Sequence, residues 1–237
     1  MTKLSLVIPC YNEAPGLALL VDRCAEVFRE HEGVEVILVD NGSTDATAEV
    51  LPELIAPHAF LRTVRVAENQ GYGHGILTGL RAAQGAILAW THADLQTDPL
   101  DALRGLALFD AAPDPERVFV KGRRYGRPLS DVVFTVGMAA FESALLQTPL
   151  WDINAQPTMM PASFFATWQD PPGDFSLDLF AYHAAVRAGL QITRFPVHFG
   201  ARVQGISRWN VNWRAKVNFI KRTVGYSLQL RRSLAGS

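Results

Sequence analysis

From Leu88 to Pro99 the chain reads LAWTHADLQTDP: an apolar run ends at Trp90, and His92, Asp94, Gln96 and Asp98 follow at every second position. Imidazole, carboxylate and amide groups alternating at the mouth of a buried strand suit the binding of a polar, charged ligand. A second such place is VDNGSTD, Val39 to Asp45. The Asn41-Gly42 pair makes a tight turn, and Ser43, Thr44 and Asp45 suit a helix N-terminus, with a hydroxyl cap and a carboxylate near the positive end of the dipole. Asp40 is left over. A carboxylate at the last position of a buried strand needs a partner, and a ribose hydroxyl or a base N–H would serve. A third place, GYGHG at Gly71 to Gly75, departs from the G-x-G-x-x-G spacing and follows the third apolar run rather than the first. It therefore reads as close packing of a helix N-terminus beside a sheet rather than as a dinucleotide loop.

The elements that must position these residues alternate regularly. Strand-like runs at Leu4–Ile8, Glu35–Val39, Leu61–Val66 and Ala86–Trp90 are separated by helix-compatible stretches at Ala14–Glu30, Thr44–Ile55 and Gly75–Ala83. The near-continuous apolar strands predict a mostly parallel central sheet with helices on both faces, an α/β architecture that binds ligands beyond the carboxyl ends of its strands. PCYNE, DNGSTD, ENQGYGHG and THADLQTD each follow one strand. All four are thereby delivered to one sheet edge.

With 237 residues, 49% of them hydrophobic and 19% charged, the chain has an ample core and no compositional sign of disorder. A net charge of -1 from 22 basic and 23 acidic residues argues against a general nucleic-acid binder. Cys10 and Cys24 read as buried reduced thiols, in keeping with a cytoplasmic setting. The N-terminus lacks the pattern of a signal peptide. The most apolar window, Val132–Leu146, is interrupted by Glu142 and Ser143; it is expected to lie against a membrane at most, not to cross one.

SLVIPCYNE (Ser5–Glu13), ILVDNGSTD (Ile37–Asp45), ENQGYGHGILTGLRAAQG (Glu68–Gly85), HADLQTDP (His92–Pro99), VKGRRY (Val120–Tyr125) and RVQGISRW (Arg202–Trp209) occur in one order over about nine-tenths of the chain. Together they resemble the family 2 glycosyltransferases of GT-A fold, most nearly the branch of dolichyl-phosphate mannose synthase and the bacterial polyprenyl-phosphate sugar transferases. The resemblance implies a GT-A-like nucleotide-sugar-binding and catalytic domain over 1–200, with a lid loop and a basic amphipathic helix over 201–237. It places Pro9, Tyr11, Glu13, Asp40, Asn69, Gly71, His92 and Ala93 around the nucleotide, although a second aspartate usual in the family is here Asn41. It makes His92-Ala93-Asp94 the counterpart of the Asp-x-Asp element that grips Mn2+ or Mg2+, with Asp94 the essential ligand and Gln96 beside it. His92 then has three readings: a metal ligand favouring Mn2+, a hydrogen-bond donor to ribose or phosphate, or a bystander. Arg202 and Arg208 become lid arginines that reach the diphosphate around Gly205.

On the acceptor side the resemblance assigns a phosphate to Arg124, but no basic residue stands from Val132 through Leu150, so Arg127 is left as a substitute for the second phosphate contact. Asn154 and Gln156 suit a sugar hydroxyl. A hydroxyl acceptor needs a base, for which Asp178 and Asp174 are the candidates, whereas a lipid phosphate is already ionised and needs none. The basic and apolar residues from Asn212 to Ser233 suit either a helix docked on anionic lipid or one packed on the domain. The expectation is an inverting glycosyltransferase that uses a UDP- or GDP-type sugar donor, at the cytoplasmic face of a membrane or free of it. Its acceptor is a saccharide or lipid-linked saccharide in surface polysaccharide or glycolipid synthesis. The alternatives are a polyprenyl-phosphate acceptor or a silent nucleotide-sugar-binding protein, and nucleic acid is not an expected partner.

Overall fold

A computed structural model describes residues 2–202 and 223–232. Seven strands form one sheet: β1 (Leu4–Cys10), β2 (Val34–Asn41), β3 (Leu61–Val66), β4 (Ile87–Trp90), β5 (Val118–Tyr125), β6 (Thr158–Pro161) and β7 (Gln191–His198). Their order is β3-β2-β1-β4-β6-β5-β7. All run parallel except β6, which is antiparallel to both β4 and β5. The mostly parallel α/β sheet predicted from the apolar runs is present.

Helices cover both faces because the buried strands alternate their side chains between two cores. On one face Leu6, Ile8, Val36 and Leu38 pack with α1 (Leu17–Phe28), α2 (Thr47–Ile55) and α4 (Leu100–Asp110). On the other, Val7, Ile37, Val39, Leu88 and Trp90 pack with α3 (Tyr72–Ala82), α6 (Ala162–Phe165) and α7 (Leu177–Arg187). Strand and helix ends fall within a few residues of the expected ones. α1, α2 and α3 each start three residues from the expected position, and α3 starts at Tyr72 rather than Gly75, so its glycines form the first turn.

The remaining helix, α5 (Leu129–Leu146), departs from expectation. It has 18 residues, is apolar enough by length and composition to cross a membrane, and is only 17% buried. The anticipated interruption at Glu142 fails because that side chain turns inward and is fully buried, while Leu129, Val133, Phe134, Val136 and Phe141 stay exposed. Residues 223–232 are also helical. The rest of the anticipated lid and basic helix, including Gly205, Arg208, Arg214, Lys216, Lys221 and Arg222, lies outside the described residues.

Candidate active site

The chain leaves β1 toward β2 and β3 on one side and then crosses back to β4 on the other side of β1, and such a switch point opens a crevice at the carboxyl ends of the strands. The loops after β1 and β2 meet there and are laced together. Asn12 N donates to Ser43 Oγ (3.1 Å), Glu13 N to Thr47 Oγ1 (3.0 Å), Ala14 N to Asp45 Oδ2 (3.3 Å), and Thr44 N to Asn12 Oδ1 (2.8 Å). Pro9, Tyr11 and Glu13 are thereby held half-buried beside Asp40.

Asp40 is 2% exposed. Its Oδ1 accepts Ser43 N at 3.0 Å; its buried Oδ2 accepts no hydrogen bond, with Arg65 Nε 3.4 Å away. A buried carboxylate oxygen left without a donor is costly unless a ligand supplies one. Asn41 explains its own departure from the family pattern. Its Nδ2 donates to Gly71 O at 2.9 Å, a bond no aspartate could make. Gly42 (φ +71°) lets this turn touch the 68–69 backbone, where a Cβ would meet Asn69 N at 2.4 Å. Asn69 Oδ1 in turn accepts Gly71 N at 2.9 Å.

The row after β4 divides its labour. Asp98 starts α4, its Oδ1 accepting Leu100 N (2.9 Å), and pairs with Arg23 at 2.7 Å. Gln96 clasps the segment after β7: Gly200 N donates to Gln96 O (2.8 Å) and Gln96 Nε2 to Gly200 O (3.0 Å). That clasp brings Arg202 to Asp94, NH2 to Oδ2 at 2.8 Å, while Asp94 Oδ1 accepts Gln96 N at 3.2 Å. Ala93 is buried between Asp94 and His92. The His92 ring turns inward, with Nε2 2.9 Å from Tyr72 Oη, and burial holds its imidazole below the ordinary value despite Asp94 and Asp178.

Behind His92 lies a buried polar chain that sequence reasoning did not connect. Asp178 Oδ1 accepts Gln156 Nε2 (2.8 Å) and Trp90 Nε1 (3.3 Å), and Lys121 Nζ stands 4.0 Å away. Asp178 is therefore an interior anchor, spent on its neighbours and 2% exposed. Asp174 Oδ1 accepts Ser176 N at 2.9 Å just ahead of α7. Gln156 faces inward to Asp178, while Asn154 lines a cavity of about 60 Å³ under α5 with Arg124 and Glu142. Lys121 is fully buried, donating to Thr158 Oγ1 at 2.6 Å, and burial pushes its ammonium down to about 7, with Asp178 opposing.

Because the unfolded lysine keeps its proton up to its ordinary value of 10.5 and the folded one loses it from about 7, folding gains stability as pH rises between those values. Urea midpoints at pH 7 and pH 9 should show a gain in the wild type that Lys121→Met lacks; equal slopes in the two proteins would contradict this.

The acceptor-side candidate Arg124 sits at the end of β5. It donates from N and Nε to Asp152 Oδ2 (3.0 Å) and Oδ1 (2.9 Å), and from NH2 to Oδ1. Arg127 NH2 is 3.7 Å from the same carboxylate, and Arg194 NH2 donates to Asp152 O at 3.2 Å. Three guanidinium groups gather on one buried aspartate, and Arg127 Nε with Arg194 Nε and NH1 lack partners. A cavity of about 270 Å³ opens between Arg123, Arg124, Arg127, Trp151 and the start of α5. A surplus of guanidinium N–H groups at its wall suits a phosphate.

Among the described residues no three His, Cys, Asp or Glu side chains converge as a metal site. Asp94 and the Gln96 amide oxygen nevertheless present hard oxygen donors, and the Arg202 guanidinium already marks a place where a cation is stable. The donor set fits a Mg2+ or Mn2+ ion held jointly with a diphosphate, not one caged by protein alone.

Comparison with known proteins agrees with this geometry. The chain is 37% identical over 97 residues to the undecaprenyl-phosphate 4-deoxy-4-formamido-L-arabinose transferase of Pectobacterium carotovorum, covering 40% of this chain and 30% of that protein. It is 37% identical over 101 residues to the dodecaprenyl-phosphate galacturonate synthase of Rhizobium johnstonii, covering 42% and 30%. The chain thus matches only about a third of the length of these curated relatives. Its fold matches a Pyrobaculum calidifontis mannosyltransferase solved with GDP-Man and Mn2+ (TM-score 0.64, 23% identity, 86% of this chain and 58% of that one). It also matches the Mycobacterium tuberculosis glucosyl-3-phosphoglycerate synthase solved with Mn2+ and UDP (TM-score 0.67, 19% identity, 97% and 80%). These likenesses show the GT-A-type fold. The family model described as glycosyl transferase family 2 matches residues 5–167, more than half of the chain, and the protein belongs to that family.

Proposed function

We propose that the protein transfers a sugar from a nucleotide-diphosphate sugar, of UDP or GDP type, to the phosphate of a polyprenyl-type lipid, with inversion at the anomeric carbon. The observation that carries the donor half is the meeting of Asp40, whose buried Oδ2 accepts no hydrogen bond and has only Arg65 at 3.4 Å, and the Asp94–Arg202 pair on one sheet edge. Asp40 accepts a base N–H or a ribose hydroxyl, Tyr11 and Pro9 flank the base, and Arg202 turns from Asp94 to the diphosphate. When bound, a Mn2+ or Mg2+ ion held by Asp94 and the diphosphate offsets the negative charge that develops on the leaving group.

The acceptor half rests on the arginines around Asp152 beside an exposed apolar helix. A lipid phosphate is ionised at neutral pH and attacks without a base. This accords with Asp178 being spent in the core and Asp174 in the turn before α7. Arg124 and Arg127 position the phosphate, and α5 rests on the lipid surface at the cytoplasmic face of the membrane, where its exposed Leu129, Val133 and Phe141 meet acyl chains. The names of the relatives point the same way.

The test is release of UDP or GDP from a panel of UDP- and GDP-sugars, with undecaprenyl phosphate in vesicles or with soluble saccharides as acceptor. Release that requires the phosphorylated lipid is expected. Release driven by a soluble saccharide alone would overturn the acceptor, and nucleotide binding without release under any condition would favour a silent binding protein.

A further inference from the structure

The polar chain behind His92 decides which of its nitrogens carries the proton. Asp178 is acceptor-only, so the Gln156 amide must present Nε2 to it, and the 2.8 Å contact fixes which end of the amide faces inward. The second proton of the same Nε2 points to Tyr72 Oη at 3.4 Å. Asp178 Oδ1 already receives Trp90 Nε1 as well. Tyr72 Oη thus accepts from Gln156 and has its own proton to place; two acceptors are in reach, the Asp178 carboxylate, whose Oδ1 already takes Gln156 and Trp90, and His92 Nε2 at 2.9 Å. Ring stacking of Tyr72 on Phe175, centroids 4.6 Å apart and planes 9° off parallel, holds the phenol in that line, and the His92 ring meets it edge-on at 5.6 Å.

We infer that Tyr72 is a positioning residue that donates to His92 Nε2 and so keeps the His92 proton on Nδ1, turning the ring into a hydrogen-bond donor at the diphosphate edge rather than a metal ligand. The residue that stands where the family has an acid then brings an N–H for a phosphate or ribose oxygen. Asp94 is left to carry the charge. The ligand in this inference rests on the proposed donor site; the tautomer does not.

Nitrogen-15 imidazole spectra of the full-length protein test it, with the His92 signals assigned by their loss in His92→Gln. A proton on Nδ1 in the wild type, with that signature lost or averaged in Tyr72→Phe, is expected. Affinity of Tyr72→Phe for UDP or GDP in the presence of a chelator should fall about three- to tenfold, the range for one hydrogen bond to a positioned donor. A wild-type proton on Nε2 overturns the inference, even if Tyr72→Phe proves unstable, as does an unchanged tautomer in a folded Tyr72→Phe. If neither nucleotide binds while the Nδ1 proton is observed and depends on Tyr72, the donor-site reading fails and the positioning role stands.

Discussion

Asp94→Ala is expected to lower turnover with a nucleotide sugar by about a hundred- to a thousandfold, the usual effect of losing one charge-stabilising group at a leaving group. The carboxylate does two jobs at one place. In the free protein it pairs with Arg202, and on the proposed reading it would hold a divalent ion against the diphosphate once donor binds. Removing it therefore acts in opposite directions on two observables. Stimulation of nucleotide binding by Mn2+ should vanish, because Gln96 alone offers a neutral oxygen and His92 is turned to Tyr72. Binding in a chelator should hold or improve, because Arg202 is released to the diphosphate. A purely structural role for Asp94 would instead depress both together, along with the melting temperature.

Asp152→Ala is expected to give the largest loss of stability, about 3–5 kcal/mol, as for breaking a buried ion pair. Asp152 is 2% exposed and its carboxylate holds Arg124 and Arg127, while Arg194 bonds its backbone carbonyl, which alanine keeps. Without that carboxylate the neighbouring guanidinium groups of Arg124 and Arg127 repel one another. Burial pushes its carboxyl up, but the hydrogen bonds and charge of Arg124, with Arg127, outweigh this and hold it below its ordinary value. A depressed folded-state value contributes stability that is complete above about pH 4 and is lost as pH falls through it. The gap in urea midpoint between wild type and Asp152→Ala should accordingly be wide at pH 7 and narrow below pH 4. Transfer to a lipid phosphate should fall with it, since Arg124 and Arg127 lose the carboxylate that orients them.

The first hundred residues were legible because each element there carries its own pattern. Apolar strands, helix starts and polar strand ends recur with a regular period, and a parallel sheet gathers those ends whatever the packing details. The later strands lacked that signal. β6 is four residues, Thr158–Pro161, and becomes a strand only by pairing with β4 and β5 on either side. The Asp40 position was readable from local chemistry, whereas Arg124 of VKGRRY was singled out only through the family resemblance. What Asn41, Tyr72 and Asp152 do was not, because each acts on a residue at least 20 positions away: Asn41 on Gly71, Tyr72 on His92, and Asp152 on Arg124. Spacing along the chain does not reveal such partners. The inward turn of Glu142 was hidden in the same way, and with it the unbroken apolar face of α5.

Isothermal titration of UDP and GDP into the wild type, Asp40→Ala and Asp94→Ala, each with Mn2+ and with a chelator, tests the central claim most directly. One of the two nucleotides is expected to bind the wild type more tightly with Mn2+, Asp40→Ala to bind weakly in both conditions, and Asp94→Ala to lose the Mn2+ effect alone. Absence of binding to the wild type, or an undiminished Mn2+ effect in Asp94→Ala, would contradict it.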